Sequence, residues 1–310
     1  MGESEHIRRL VYAARRYYLD NRRQSDIAAE LGISRPLVSR MLSEARARGI
    51  VEIRIHHPDE RREGLRDALL RRTGLAGCRL VEDGEDDAAT DRALAREAFL
   101  LLEELAPRHI GVGWGHFIGR MMDDVEETPR RDSAVETVCP LIGSAGVPVR
   151  YYQSNENVRV LADGLGAEPR FLYLPALAEG MEEKRVLCAT ALYRQMEAEW
   201  SAMDAALVNI GNYPSTPDFA SGARYGGLLH EERACGRLLA YFYNESGRVI
   251  RSSHDFAIQI PLETLGRCAC VVGLCAANTS LAAFRGALAS RRVTHVVAKA
   301  SLADAWLRGG

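Results

Sequence analysis

Three glycine-rich stretches hold the residue types that could bind a small polar ligand. They are Gly111-Val112-Gly113-Trp114-Gly115-His116, Pro140-Leu141-Ile142-Gly143-Ser144-Ala145-Gly146 and Asn209-Ile210-Gly211-Asn212. Glycine lets a ligand approach backbone amides, and amides at the start of a helix attract anions such as phosphate. Ser144 and Asn209 add hydrogen-bonding side chains, while His116 and Lys299 could add positive charge. The expected ligand set is therefore Gly111, Gly113, Trp114, Gly115, His116, Gly143, Ser144, Gly146, Asn209, Gly211 and Lys299. Glycine is also the ordinary turn residue, so a structural reading stands beside each loop. His116 can equally be a surface histidine, Lys299 a solvated loop residue and Trp114 a core side chain.

Acid–base catalysis is less well provided for. No acidic residue lies within the three loops, and the nearby candidates for a general base are Glu156, Asp218 and His116. No catalytic set is expected, and no cofactor. Seven cysteines show no CxxC spacing, and Cys268, Cys270 and Cys275 sit in an apolar stretch, so buried free thiols are expected and a metal site is not.

A second constellation points to different chemistry. Ser34-Arg35-Pro36-Leu37-Val38-Ser39-Arg40 follows Gly32 and opens an amphipathic helix, with Ser34 as its cap and Pro36 in its first turn. Arg35, Ser39 and Arg40 then project from the helix start, where side chains can read base edges in a DNA major groove. Gln24 and Ser25 open the preceding helix and are placed for phosphates. The expected DNA-binding set is Gln24, Ser25, Ser34, Arg35, Pro36, Ser39 and Arg40. A small helical bundle with solvated arginines is the bland alternative.

The elements that must position these residues can be read from periodicity. Leu10, Val11, Ala14, Tyr17 and Tyr18 recur at helical spacing over 7–19; Ile27, Ala28 and Leu31 face inward over 24–31; Val38, Met41, Leu42 and Ala45 form the stripe of a third helix ended by Gly49. Residues 50–55 alternate as a short strand. Two helices joined by a glycine turn give a helix-turn-helix. Residues 60–72 form a connector or dimerisation helix on Leu65, Leu69 and Leu70. Beyond it, strands are expected over 78–81, 109–112, 135–140, 171–174, 206–210, 268–274 and 293–297. Helices are expected over 91–105, 115–124, 155–165, 183–199 and 279–289. This alternation predicts an α/β fold with a mostly parallel sheet covered on both faces, whose ligands sit beyond the carboxyl ends of the strands. The domains divide as 1–56 helix-turn-helix, 57–75 connector and 76–310 ligand-binding α/β domain.

Composition agrees with two functions on one chain. The 310 residues are 47% hydrophobic and 26% charged, which excludes a disordered or fibrous chain. The formal net charge is −2, yet residues 1–56 carry eleven Arg against seven Asp and Glu, a net of +4 that leaves −6 for the remainder. A basic module on an acidic body implies a polyanion at one end. No apolar run reaches the roughly 18 residues of a membrane span, and Met1-Gly2-Glu3-Ser4-Glu5-His6 resembles neither a signal peptide nor a myristoylation site, so a cytoplasmic location is expected.

The segment 24–40, preceded by Tyr17-Tyr18 and closing with Gly49-Ile50-Val51-Glu52-Ile53, resembles the DNA-binding end of the SorC-type (SorC/DeoR) sugar-responsive transcriptional regulators. Gly111–Gly115, Pro140–Gly146, Asn155-Glu156, Leu165-Gly166-Ala167 and Cys235-Gly236-Arg237 resemble their effector domain, so the resemblance covers nearly the whole chain. It implies a sugar-isomerase-like fold that binds phosphorylated sugars. Four departures stand out: Gly113 for serine with His116 and Phe117 for an Arg-Thr pair; Arg233-Ala234 for an acidic residue before Cys235; Ala276-Ala277 for Gly-Gly; and Ala298-Lys299-Ala300 for Thr-Asp-Glu. The reading is a regulator whose operator affinity is controlled by a sugar or sugar phosphate; its partners are double-stranded operator DNA and that effector, with no membrane, in a homodimer or homotetramer. The competing reading is an isomerase-like enzyme carrying an accessory helix-turn-helix.

Overall fold

The computed structural model describes residues 3–52, 58–131, 133–215, 218 and 220–309. The chain divides into two compact units, Met1–Pro58 and Asp59–Gly310.

The first unit is three helices, α1 (Glu3–Tyr18), α2 (Gln24–Leu31) and α3 (Arg35–Ala47). They close around Leu10, Ala13, Ala14, Ile27, Ala28, Val38, Met41, Leu42 and Ala45. Helix α1 begins a turn before the apolar stripe does, with Glu3 and Glu5 at the positive end of its dipole. Val11, expected inward, is instead exposed, and Ala13 is buried in the core. Gly32 closes α2 at φ +62°, a left-handed turn that favours glycine. Ser34 occupies the N-cap of α3, but its hydroxyl accepts no capping bond. The strand expected over 50–55 does not begin: the amides of Ile50 and Val51 turn back onto the Ala45 carbonyl at 2.9 and 3.2 Å, which completes the end of α3. Residues 53–55 lie outside the described residues.

The second unit opens with α4 (Pro58–Thr73), β1 (Gly77–Val81), α5 (Asp87–Leu105), β2 (His109–Val112), α6 (His116–Glu127) and β3 (Thr137–Pro140). There follow α7 (Ser154–Leu165), β4 (Glu168–Pro169), α8 (Met181–Cys188), α9 (Ala191–Ala202) and β5 (Ala205–Asn212). The remainder is α10 (Ser221–Tyr225), α11 (Leu228–Glu231), β6 (Ala234–Leu238), β7 (Tyr241–Asn244), α12 (Leu262–Leu265), β8 (Cys270–Leu274), α13 (Leu281–Ala289), β9 (His295–Lys299) and α14 (Ala300–Arg308).

Seven strands form one parallel sheet in the order β1-β9-β8-β5-β2-β3-β4. Because both faces are covered, strand residues are apolar on both sides and alternate between two cores. Val112, Leu207, Val272 and Val297 join Phe99, Phe117 and Leu161 of α5, α6 and α7 on one face. Ala206, Val208, Val271 and Val296 join Leu69, Trp200, Phe284 and Leu302 of α4, α9, α13 and α14 on the other. The carboxyl ends of β2, β5, β8 and β9 consequently share one edge.

Three expectations are corrected here. Residues 171–174 do not form a strand. The ladder with β3 is made earlier, by Glu168 and Pro169, and the Leu172 amide and carbonyl are bonded to the Asn155 side chain at 3.0 and 3.1 Å instead of to a strand. The single helix over 183–199 is two, α8 and α9, because Thr190 takes an extended conformation and its hydroxyl caps α9 through the Tyr193 amide. Finally, β6 and β7 form an antiparallel hairpin on the outer half of β5, where no strand was expected. Smaller shifts lie at element ends: Asp86 caps α5 one turn ahead of position 91, β9 ends at Lys299 and not at 297, and Ser280 caps α13.

Candidate functional site

In the first unit the fold sorts the arginines. Arg16 is held by Asp20 and Glu30, and Arg48 by Glu44. Arg35, Pro36, Ser39 and Arg40 are exposed on α3, opposite the buried Val38, Met41 and Leu42. Neither Arg35 nor Arg40 makes an ion pair among the described residues. Ser34 is exposed at the start of the same helix. At α2, Gln24 is half-buried and Ser25 exposed, its hydroxyl 3.2 Å from Asp26 Oδ1. Two groups escaped the sequence reading. Arg22 and Arg23 are exposed immediately before α2, and Leu37 is 42% exposed between Arg35 and Arg40. The signal for Leu37 was its failure to fit the apolar stripe.

In the second unit the glycine-rich turns are less open than their composition suggests. Gly111 lies inside β2, paired with Cys139 and Ala206, and a Cβ there would meet Met203 Sδ at 2.2 Å. Its role is close packing. The Gly113 amide donates to the Leu207 carbonyl at 2.9 Å and the Gly115 amide to the Tyr151 carbonyl at 3.1 Å, so neither is offered to a ligand. The turn leads into α6, capped by Gly115 at φ +122°, whose first-turn amides have no intrahelical acceptor. Trp114 is buried, edge-on to Tyr152 with ring centroids 5.6 Å apart.

Asn209, near the carboxyl end of β5, faces this turn. A Cβ on Gly115 would stand 3.5 Å from its Nδ2, and its Oδ1 is buried with no hydrogen-bond partner among the described residues. Gly211 faces it too, and across the β5–β6 ladder Gly211 pairs with Arg237, whose Nε would be 3.2 Å from a Cβ at that glycine. Arg237 is 8% exposed and hydrogen-bonded to Tyr152. Burial pushes its guanidinium down from the ordinary arginine value, which starts so high that the group stays charged. Gly115, Asn209, Gly211, Tyr152 and Arg237 therefore come together at one strand end. Arg237 was missing from the expected set because the hairpin that carries it was not read.

The other expected ligands sit apart from this cluster. Gly143 is pressed against the backbone of Pro175, and the Ser144 amide and carbonyl are bonded to Leu174 and Ala176. Gly146 is open to solvent. Lys299 ends β9, but its ammonium is 3.0 Å from Asp83, whose carboxyl is held below the usual carboxylate range by Ser301 and by Lys299 itself. His116 is exposed, accepts from Arg120 Nε at 3.1 Å and stacks edge-on to Tyr151. Of the other acid–base candidates, Glu156 is held below the carboxylate range by Arg159, and Asp218 accepts from the Ser221 hydroxyl. Burial raises the thiols of Cys78, Cys139, Cys268 and Cys275, and among the described residues no cluster of His, Cys, Asp or Glu could hold a metal ion. No helix of the described residues is long and apolar enough to cross a membrane.

Comparison with known proteins places the architecture. The Sugar-bind family model, a sugar-binding domain, matches residues 60–308. The chain is 26% identical to the sorbitol operon regulator of Klebsiella pneumoniae, over 99% of this chain and 100% of that protein. It is 28% identical to the deoxyribonucleoside regulator of Bacillus subtilis, over 82% and 83%. The crystal structure of full-length SorC from Klebsiella pneumoniae matches at a TM-score of 0.69 and 26% identity, over 97% of this chain and 98% of that one. A probable sor operon regulator from Shigella flexneri shares the fold, with a TM-score of 0.71 at 22% identity over 79% and 99%.

Proposed function

Because the chain belongs to the Sugar-bind family of sugar-binding domains and is a SorC-type transcriptional regulator, we propose how its parts perform that regulation. Helix α3 enters the major groove of an operator, Arg35, Ser39 and Arg40 read base edges, and Leu37 packs on a thymine methyl. Arg22, Arg23, Gln24 and Ser25, with the first turn of α2, hold backbone phosphates and set the register without reading sequence. Two copies bind two half-sites as a symmetric dimer.

The effector is a sugar or sugar phosphate held at the carboxyl ends of β2 and β5. The Asn209 amide takes a hydroxyl, the first turn of α6 and Arg237 take the anionic group, and Tyr152 fixes the guanidinium. Relatives carrying names such as sorbitol operon regulator and deoxyribonucleoside regulator support a carbohydrate or nucleoside-derived effector. The observation that carries the DNA-binding half is that Arg35 and Arg40 lie exposed on α3, without an ion pair among the described residues, on the face opposite a closed core.

The test is operator selection from a pool of randomised duplexes with the full chain. Arg35→Ala and Arg40→Ala should each cost roughly 1 to 3 kcal/mol of specific binding and relax preference at particular base pairs, while non-specific binding falls less. If both variants keep the wild-type preference and affinity, α3 is not the reading helix.

A further inference from the structure

A cavity of about 430 Å³, within the range of small-molecule sites, opens between α8, α9 and the chain that runs from β7 into α12. Gly115, Tyr152, Asn209, Gly211 and Arg237 all lie outside it. Its apolar walls are Met181, Tyr193, Tyr241, Ile250, Pro261 and Leu262, so two aromatic rings face the space. Gln259 belongs to the lining although it is only 5% exposed. Its Oε1 accepts from the Ala240 amide at 2.9 Å, which fixes the orientation of the carboxamide and leaves Nε2 as a donor. That nitrogen keeps accessible surface and meets no acceptor among the described residues. A donor left over on a buried side chain is where a ligand oxygen gains most.

The charged groups leave one cation in excess. Four charged side chains line the cavity, and Arg251 and Glu263 pair with each other at 2.9 Å. The Asp255 carboxylate is taken by Arg224, Tyr225 and the Ala257 amide at 2.8 to 3.1 Å. Lys184 is the fourth. Its ammonium donates to the Asp255 carbonyl at 2.7 Å and makes no ion pair among the described residues, while its neighbours Glu182 and Glu183 are bonded to Arg185 and to the Glu179 amide. One of its three donors is used, and the others suit an anionic oxygen.

We propose that this cavity binds a small aromatic monocarboxylate, its carboxylate on Lys184 Nζ, its ring against Tyr193 and Tyr241, and a second ligand oxygen accepting from Gln259 Nε2. One negative charge answers one cation, and a flat ring suits walls carried by tyrosines. The site does not depend on the effector cluster at the carboxyl ends of β2 and β5.

Isothermal titration of the full-length protein with benzoate, 3-hydroxybenzoate and 4-hydroxybenzoate tests this, with benzamide as the uncharged counterpart. Saturable binding of at least one acid is expected, with benzamide at least tenfold weaker. Lys184→Met should weaken that acid at least tenfold. Gln259→Glu, which keeps an acceptor for the Ala240 amide and exchanges the donor for a carboxylate oxygen, should do the same. Lys184 and Lys299 are the two lysines of the chain, so acetylation by acetic anhydride, read by mass spectrometry, locates the ligand. The saturating acid should slow acetylation of Lys184 at least fivefold and leave Lys299 unchanged. Absence of saturable binding by all three acids at millimolar concentration overturns the proposal. So does equal binding of benzamide, wild-type affinity in either variant, or an unprotected Lys184.

Discussion

Arg237 and Lys299 carry the same charge at the same edge of the sheet, and their surroundings give them different work. Lys299 is already answered by Asp83 at 3.0 Å, whereas Arg237 is buried beside Asn209 and anchored by a neutral tyrosine. A ligand anion competes with a carboxylate at the first position and meets a guanidinium beside the Tyr152 side chain at the second. Arg237→Gln should therefore weaken effector binding by about 1.5 to 3 kcal/mol, the range for a hydrogen bond to a charged group, and Lys299→Met should leave it nearly unchanged. Effector titrations of the two variants check this, and the reverse order would move the site to the β1–β9 side of the sheet. Charge type alone could not separate the two residues, because only the fold reveals that Lys299 has Asp83 beside it and that Arg237 is buried next to Asn209.

At the scale of elements, glycines that look alike in sequence behave differently in space. Gly143 and Gly146 lie in one loop, yet a Cβ at Gly143 would stand 2.3 Å from the Pro175 carbonyl oxygen, while Gly146 faces open space. Gly143→Ala should cost roughly 1 to 3 kcal/mol as overpacking against rigid backbone, and Gly146→Ala should stay within about 0.5 kcal/mol. Denaturant midpoints of the two variants measure the contrast, and equal midpoints would mean the loop yields. The same elements show what could be read in advance. Gly32 between two apolar stripes announced the helix-turn-helix, and alternating strand and helix patterns announced the parallel sheet. The β6–β7 hairpin was hidden, because its turn at Leu239-Ala240 has no glycine or asparagine, although Leu239 adopts φ +53°. Tertiary contacts hold it instead: the Ala240 amide donates to Gln259 and its carbonyl accepts from Arg224. The missing strand at 171–174 has a similar origin, since the Asn155 side chain takes the bonds that a neighbouring strand would have made.

For the whole molecule, the basic unit and the larger sugar-binding unit carry separate cores, so the proposed DNA-binding and effector-binding roles each rest on a unit with its own packing. Regulation then requires that effector binding favour one arrangement of the paired DNA-reading helices. Linkage makes that requirement quantitative: whatever factor effector imposes on operator affinity, operator must impose on effector affinity. The expected size is about 1 to 3 kcal/mol, or roughly 5- to 150-fold. The most direct measurement takes an effector found by screening sugars, polyols, sugar acids and sugar phosphates, and determines operator affinity by fluorescence anisotropy with and without it. Effector affinity is then determined with and without operator. Equal factors above fivefold in the two directions are the predicted result. Saturable effector binding that leaves operator affinity unchanged would contradict metabolite control of DNA binding by this chain.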